Sequence, residues 1–130
     1  MPTRPKPSAV IFAKGMTALA NFYQQVAEMS EVHRDPDHIV LDDAGFQLVI
    51  HAIPAQIAEQ IQIAAPPQIR DETPIKLCLP VASLAQARQL AAQLGGQLGA
   101  TDKEWAAGGF RACDGHDPEG NVFQLRELAT

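Results

Sequence analysis

Apolar residues along the first half of the chain follow two different periods, and each change of period marks a new element. The run Ser8–Ala13 is short, apolar and rich in β-branched and aromatic side chains, which predicts a strand. Apolar residues then recur at helical spacing behind Thr17, which can cap the helix: Leu19, Phe22, Tyr23, Val26 and Met29. Strands follow over Glu31–Arg34, His38–Leu41 and Phe46–Ile53, the first two joined by the turn Asp35-Pro36-Asp37. The first half therefore predicts the element order βαβββ.

The middle of the chain is less regular. Ile57 and Ile61 are spaced as on a helix, but Pro66-Pro67 ends any such helix. We interpret this stretch as a short helix followed by a linker.

The second half repeats the pattern of the first. A strand is predicted over Ile75–Val81, and Ser83 can cap a helix that Gly95-Gly96 ends. The apolar face of that helix consists of Leu84, Ala87, Leu90, Ala91 and Leu94. Strands are then predicted over Gln97–Ala100 and Phe110–Asp114, around a glycine-rich flexible loop at residues 102–109. The turn Asp117-Pro118-Glu119-Gly120-Asn121 leads into the last strand, because proline and glycine suit its two corners.

A repeated triplet supports an internal duplication. Phe-Gln-Leu occurs as Phe46-Gln47-Leu48 and again as Phe123-Gln124-Leu125, each time after a turn. Strand alternation places Gln47 and His51 on one face of their strand, and Gln124 and Arg126 on one face of theirs. Lys76 and Cys78 likewise oppose the apolar residues of the strand that begins the second half. The apolar faces suit a helix layer, and the polar faces suit a wetted cleft.

The composition of the chain narrows its class. At 130 residues, with 46% apolar and 19% charged residues, it fits one globular domain with a real core. The net charge of −5 disfavours a nucleic-acid partner, because phosphate binding needs concentrated lysine and arginine. No apolar run reaches the roughly 18 residues of a membrane span, and none follows the basic N-terminus as in a secretory signal. Cys78 and Cys113 fit reduced thiols, so a cytoplasmic protein is expected.

These features together resemble the vicinal-oxygen-chelate superfamily, which contains glyoxalase I, bleomycin-resistance proteins and extradiol dioxygenases. The resemblance rests on the doubled βαβββ order, Phe22-Tyr23, Leu94-Gly95-Gly96 and the turn at residues 117–121, and it runs from Ser8 to Glu127. It implies an α+β fold in which two βαβββ modules form a curved mixed sheet around a cleft. A single domain would span residues 1–130, with modules at 8–54 and 74–128 and a linker with a short helix at 55–73. A homodimer is also implied, whose chains can share the cleft.

The superfamily usually binds a divalent metal through His or Gln, Glu, His and Glu, on the first, fourth, fifth and eighth strands. Counting from the motifs places these four positions at Ser8, Gln47, Lys76 and Gln124. None of the four is a carboxylate or an imidazole, and a lysine ammonium repels a cation. We therefore expect that the metal site is lost and that no cofactor is bound.

The remaining candidates are contacts to a small molecule. The predicted ligand-binding cleft comprises Ser8, Gln47, His51, Lys76, Trp105, Gln124 and Arg126. Lys76 and Arg126 are the only charged residues assigned to its polar face, so a neutral-to-anionic ligand is expected. Trp105 either covers the ligand as part of a lid or plugs its own loop.

His51 is the candidate catalytic base, since its ordinary pKa near 6.5 suits proton transfer. A lone histidine at a strand end is, however, often only a polar edge residue. His116 lies beside Asp117, and the turn itself accounts for that pair.

Three functions remain open. The first is a metal-free protein of the bleomycin-resistance kind that holds a small organic molecule in its cleft. The second is an enzyme of lyase, isomerase or dioxygenase type with an atypical active site. The third is a dimerisation or partner-binding module. No nucleic-acid or membrane partner is expected in any of them.

Overall fold

The computed structural model describes residues 4–129. Within them the chain forms β1 (Ser8–Ala13), α1 (Met16–Val26), β2 (Ser30–Arg34), β3 (His38–Asp42), β4 (Gln47–Ala52), α2 (Ala55–Ala58), β5 (Leu77–Pro80), α3 (Leu84–Gln93), β6 (Gln97–Leu98), a 3-10 turn (Thr101–Lys103), β7 (Trp105–Ala107), β8 (Phe110–His116) and β9 (Val122–Leu128). The α+β fold class is thus confirmed.

The strands form two mixed sheets with matching topology. The first sheet has the order β1-β4-β3-β2, and the second has the order β5-β9-β8-β6, with β7 also paired to β8. The pair β1 and β4 is parallel, as is the pair β5 and β9, and all other strand pairs are antiparallel. Within residues 4–129, β1 and β5 each keep one edge without a partner strand. The chain therefore carries two sheets where the sequence suggested one.

One face of each sheet is covered by helices, and the other is open. Leu48 and Ile50 of β4 are fully buried, as are Phe123 and Leu125 of β9. On the opposite face Gln47 and His51 remain partly exposed, whereas Gln124, which lies between Phe123 and Leu125, is buried at 8% exposure. The alternation of burial predicted from the sequence is confirmed on β4, whereas on β9 three consecutive residues, including Gln124, are buried. We call the two surfaces away from the helices the open faces.

Helix α1 begins differently from the prediction. Thr17 does not cap it, because the helix starts at Met16 with Gly15 as its N-cap and without a side-chain cap of its own. The carboxylate of Glu119, from the other half of the chain, instead accepts hydrogen bonds from the backbone N–H groups of Lys14 (3.0 Å) and Gly15 (2.7 Å). In contrast, Ser83 caps α3 as predicted, accepting from the Gln86 N–H at 3.1 Å.

The turn at residues 117–121, before β9, links the two halves of the chain by hydrogen bonds, and we call it the joint. Asp117 is fully buried, and its carboxylate accepts hydrogen bonds from the Tyr23 hydroxyl at 2.7 Å and from Asn121 and the Glu119 N–H. Burial raises the pKa of Asp117, and burial followed by the nearby Asp117 charge raises the pKa of Tyr23. The rings of Phe22 and Tyr23 also pack against Phe123, at centroid distances of 5.9 Å each. A residue pair of α1 thus belongs to the cores of both halves.

The segment expected to be a flexible loop is ordered. Residues 101–103 form a 3-10 turn, and Trp105–Ala107 pairs with β8 in the register Trp105↔Ala112. The loop prediction for residues 102–109 was wrong, because backbone pairing with β8 was not visible in the glycine-rich sequence. No helix within residues 4–129 is long and apolar enough to cross a membrane.

Candidate ligand-binding site

The open face of the first sheet carries a Lys–Asp–Gln triad. The antiparallel register places Asp42 of β3 directly opposite Gln47 of β4. The Gln47 side-chain amide donates to Asp42 Oδ1 at 3.1 Å, and Lys6 Nζ donates to the same oxygen at 2.8 Å. These hydrogen bonds, first from Lys6 and then from Gln47, lower the pKa of Asp42. The triad is therefore an ionised, internally neutralised group.

The second sheet repeats this triad. Asp114 of β8 lies opposite Gln124 of β9. The Gln124 amide donates to Asp114 Oδ1 at 3.3 Å, and Lys76 Nζ donates to Asp114 Oδ2 at 2.9 Å. The predicted equivalence of Gln47 and Gln124 thus extends to a lysine and an aspartate on each side.

Strand register corrects one of the four superfamily positions. In the parallel pairs, Ser8 lies opposite Gln47, whereas Cys78, not Lys76, lies opposite Gln124. Lys76 corresponds instead to Lys6, since each lysine stands two residues before the residue that faces the glutamine. Counting back from Gly95-Gly96 gave a position two residues before Cys78, because the sequence does not show how many residues separate the end of β5 from the start of α3.

Arg126 is the best-placed cation for a ligand. Its guanidinium carbon lies 4.4 Å from the centre of the Phe110 ring, and its Nε donates to the Gln124 side-chain oxygen at 2.8 Å. Within residues 4–129 no carboxylate lies within ion-pair distance of Arg126. Trp105 and Arg126 both face Ala112 in the strand registers, so all three share the open face. The terminal nitrogens of Arg126 can therefore donate to a bound acceptor on the same face as the Trp105 indole.

The expectation that Lys76 and Arg126 are the only charges on the polar face was wrong. Asp114 neutralises Lys76 there, and the pair Lys6–Asp42 adds no net charge to the first sheet. Neither aspartate was singled out from the sequence. The signal was available only in part, because Asp42 follows a predicted hairpin strand and Asp114 precedes a turn.

His51 lies on the open face of the first sheet among other rings. Its Nδ1 donates to the carbonyl oxygen of Ala52 at 2.9 Å, which leaves Nε2 as the acceptor nitrogen. Its ring lies 5.4 Å from Phe12 and 6.1 Å from His38, centre to centre. His116, in contrast, is buried and bonds the carbonyl oxygen of Asp117, while the Asp117 carboxylate accepts from the Glu119 N–H of its own turn.

The predicted site residues form two groups, one for each sheet. Ser8, Gln47 and His51 lie on the first, and Lys76, Trp105, Gln124 and Arg126 on the second. Within residues 4–129 no hydrogen bond or ion pair joins a member of one group to a member of the other. A separate cleft of about 540 Å³ is lined by residues of β1 and β5, including Val10, Phe12 and Leu77, and by none of the seven.

The donors at the superfamily's metal position do not suit a divalent cation. With the corrected register they are the hydroxyl of Ser8, the thiol of Cys78 and the amides of Gln47 and Gln124. Both adjacent carboxylates are held by lysine, so a cation would have to displace an ammonium group from each. Divalent metals prefer carboxylates, thiolates and neutral imidazoles as ligands. Of the four donors at this position, only the Cys78 thiol can become a ligand of these preferred kinds.

Comparisons with known proteins agree with this architecture. A family described as a glyoxalase-like domain matches residues 8–126. No curated protein matches the chain.

Solved structures with the same fold share little sequence with this chain. A glyoxalase/bleomycin resistance protein/dioxygenase family enzyme from Burkholderia phytofirmans is 22% identical, with a TM-score of 0.67 over 94% of this chain and 97% of that one. A bleomycin resistance determinant encoded on transposon Tn5 is 17% identical, with a TM-score of 0.60 over 98% and 100%. A mutant of the fosfomycin resistance protein FosX from Listeria monocytogenes, complexed with Mn(II) and 1S,2S-dihydroxypropylphosphonic acid, is 13% identical, with a TM-score of 0.65 over 99% and 93%.

Proposed function

The chain belongs to the family of glyoxalase-like domains, and from that premise we propose that it binds a small organic molecule without a divalent metal at the superfamily's position. The observation that carries the proposal is the environment of the Arg126 guanidinium. Its guanidinium is oriented by Phe110 and Gln124, has no carboxylate partner within residues 4–129, and shares an open face with Trp105.

The ligand expected from this arrangement has an acceptor or anionic group and an apolar body. A guanidinium with free donors recognises carboxylate, phosphonate or carbonyl oxygens through paired hydrogen bonds. An indole beside it offers a flat apolar surface. The two Lys–Asp–Gln triads add no net charge, so Arg126 sets the electrostatic preference of its face.

A matched trio of probes tests the charge preference. Benzoate, benzamide and benzylamine have similar shapes but differ in charge, and binding is measured by thermal shift and by ligand-observed NMR. We expect benzoate and benzamide to bind, with benzoate weakened by added salt. Arg126→Leu should abolish the benzoate signal, whereas Lys103→Met, which removes an exposed cation from the 3-10 turn, should leave it unchanged. Binding of benzylamine alone would contradict the proposal.

The metal-free part of the proposal has its own test. Elemental analysis of untagged protein, purified without chelator, should find no metal that depends on the two glutamines. Near-stoichiometric zinc, nickel, iron or manganese that is lost in Gln47→Ala or Gln124→Ala would contradict it. That result would favour the alternative function, an enzyme with an atypical active site, for which His51 with its free Nε2 is the candidate base.

We also propose that the functional unit is a homodimer. The unpaired edge strand β1 exposes two apolar side chains, Val10 at 50% and Phe12 at 59%, and Ile75 next to β5 is 74% exposed. A second chain laid against these edges would cover them and bring an open face of each chain towards the other. Sedimentation velocity should show a dimer that Phe12→Ser weakens. Val32→Ser, on the opposite edge of the same sheet, is the control, and a monomer at all concentrations would contradict the proposal.

A further inference from the structure

Three of the four histidines of the chain converge on one end of the first sheet. The rings of His33, His38 and His51 lie on β2, β3 and β4 in sequence, with centroid distances of 5.0 Å between His33 and His38 and 6.1 Å between His38 and His51. A bulge in β2 between Glu31 and His33 brings the His33 ring beside His38. Histidines are otherwise scattered in the sequence, so the cluster is a product of the fold.

In the hairpin between β2 and β3, the carboxylate of Asp35 lies within hydrogen-bond distance of two of these rings. Asp35 Oδ2 lies 3.1 Å from His33 Nε2 and 3.0 Å from His38 Nδ1. The three ligand atoms lie within 4.8 Å of one another. In tetrahedral zinc sites with bonds of about 2.0–2.1 Å, neighbouring ligand atoms are separated by roughly 3.3 Å. The two distances to Asp35 are already close to that separation.

Asp35 is held in place by the backbone of its own turn. Its other oxygen, Oδ1, accepts hydrogen bonds from the N–H groups of Asp37 at 2.8 Å and His38 at 2.9 Å. The backbone N–H of Asp35 in turn donates to the carbonyl oxygen of His38. The carboxylate is therefore orientated by hydrogen bonds on one oxygen and presents the other to both imidazoles, which is the second-layer arrangement that supports metal ligands.

We propose that His33, Asp35 and His38 form a binding site for a first-row divalent transition cation of the Zn²⁺ class. Two imidazoles and one carboxylate are the donors that such cations prefer over the oxygen-rich sets of Mg²⁺ and Ca²⁺. Three protein ligands leave further coordination positions for water or another molecule. The site lies at the hairpin tip and shares no residue with the positions of Gln47 and Gln124, so it is independent of the proposed absence of a metal there.

The site is accessible to solvent. The side chains of His33, Asp35 and His38 are 52%, 34% and 33% exposed. His51 packs its ring nearly parallel to that of His38, with an interplanar angle of 15°, and so limits the rotation of this ligand. A cation can thus enter without rearrangement of the sheet.

Calorimetric titration of untagged protein with ZnCl₂ and NiCl₂ tests the proposal. We expect saturable binding of one ion per chain, no binding of MgCl₂, and a zinc-dependent rise in the thermal midpoint. His33→Ala and His38→Ala should each weaken zinc binding by about 10-fold or more. Asp37→Asn, which alters the neighbouring carboxylate of the same turn, should bind as the unmodified protein does.

Two results would overturn the proposal. One is the absence of saturable zinc binding by protein whose circular dichroism is native. The other is zinc binding that survives in His38→Ala but is lost in Cys78→Ala or Gln124→Ala, which would assign the ion to the superfamily's position. Because the His33 side chain is half exposed, its replacement is not expected to prevent folding. The thermal midpoint of the His33→Ala variant, measured without zinc, verifies this.

Discussion

The two halves of this protein use the same turn position in opposite ways. In the first half Asp43 begins an exposed turn before β4, and among residues 4–129 its carboxylate accepts only the local Gly45 N–H at 2.9 Å. In the second half Asp117 begins the turn before β9, is fully buried, and bonds Tyr23 of the distant helix α1 at 2.7 Å. Similar local turn chemistry has thus become a joint between halves in one copy and has remained a surface turn in the other.

The open faces differ in a comparable way. Both retain a Lys–Asp–Gln triad with nearly the same distances. Around the triad, the first sheet carries stacked histidines beside Phe12, whereas the second carries Arg126 beside Phe110 and Trp105. The shared triads fit the internal duplication expected from the sequence, and the differing neighbours give each face its own chemical character.

The largest expected change in stability comes from a substitution in the joint. Asp117→Asn should lower the free energy of unfolding by about 3 kcal/mol, because Tyr23 and Asn121 lose part of a buried acceptor. Asp43→Asn should change it by about 0.5 kcal/mol or less, since its turn is exposed. Urea denaturation of both variants measures the difference. Equal losses would show that the two turns are energetically alike.

A smaller effect concerns the helix starts. Glu119→Ala should destabilise by about 1.5 kcal/mol, because two N–H groups before α1 lose an acceptor supplied by the other half. Ser83→Ala, which removes a local cap from α3, should cost about 1 kcal/mol. Hydrogen exchange distinguishes them. Loss of protection in Glu119→Ala should begin in α1, and loss confined to the turn at residues 117–121 would contradict this account.

The smallest effect sharpens the comparison of the triads. Hydrogen bonds from Lys6 and Gln47 lower the pKa of Asp42, so its contribution to stability is present above the ordinary value of about 3.9 and is lost as pH falls through the lowered pKa. Asp42→Asn should therefore make stability fall less steeply below about pH 4. Denaturation curves recorded between pH 2 and 7 measure this slope. A steeper acid loss in the variant would reverse the assigned sign.

Sequence alone determined the parts that depend on local rules. Alternation placed Gln47 and Gln124 on polar strand faces, and the spacing of Phe22 and Tyr23 identified the buried side of α1. Ser83 and Gly95 marked the two ends of α3, and Gly95 does adopt a positive φ of 89°. Period, capping and turn chemistry act within a few residues, so one chain is enough to reveal them.

Only the tertiary structure decided which distant residues meet. The register that places Cys78 opposite Gln124 depends on how α3 returns the chain to its sheet. The cap that Glu119 provides to α1, and the pairing of each aspartate with its lysine, join residues 36 to 105 positions apart. The convergence of His33, Asp35 and His38 needed a bulge and a turn to aim three side chains at one point. Such contacts depend on strand register and helix packing across the whole chain, and no local pattern of residue types encodes them.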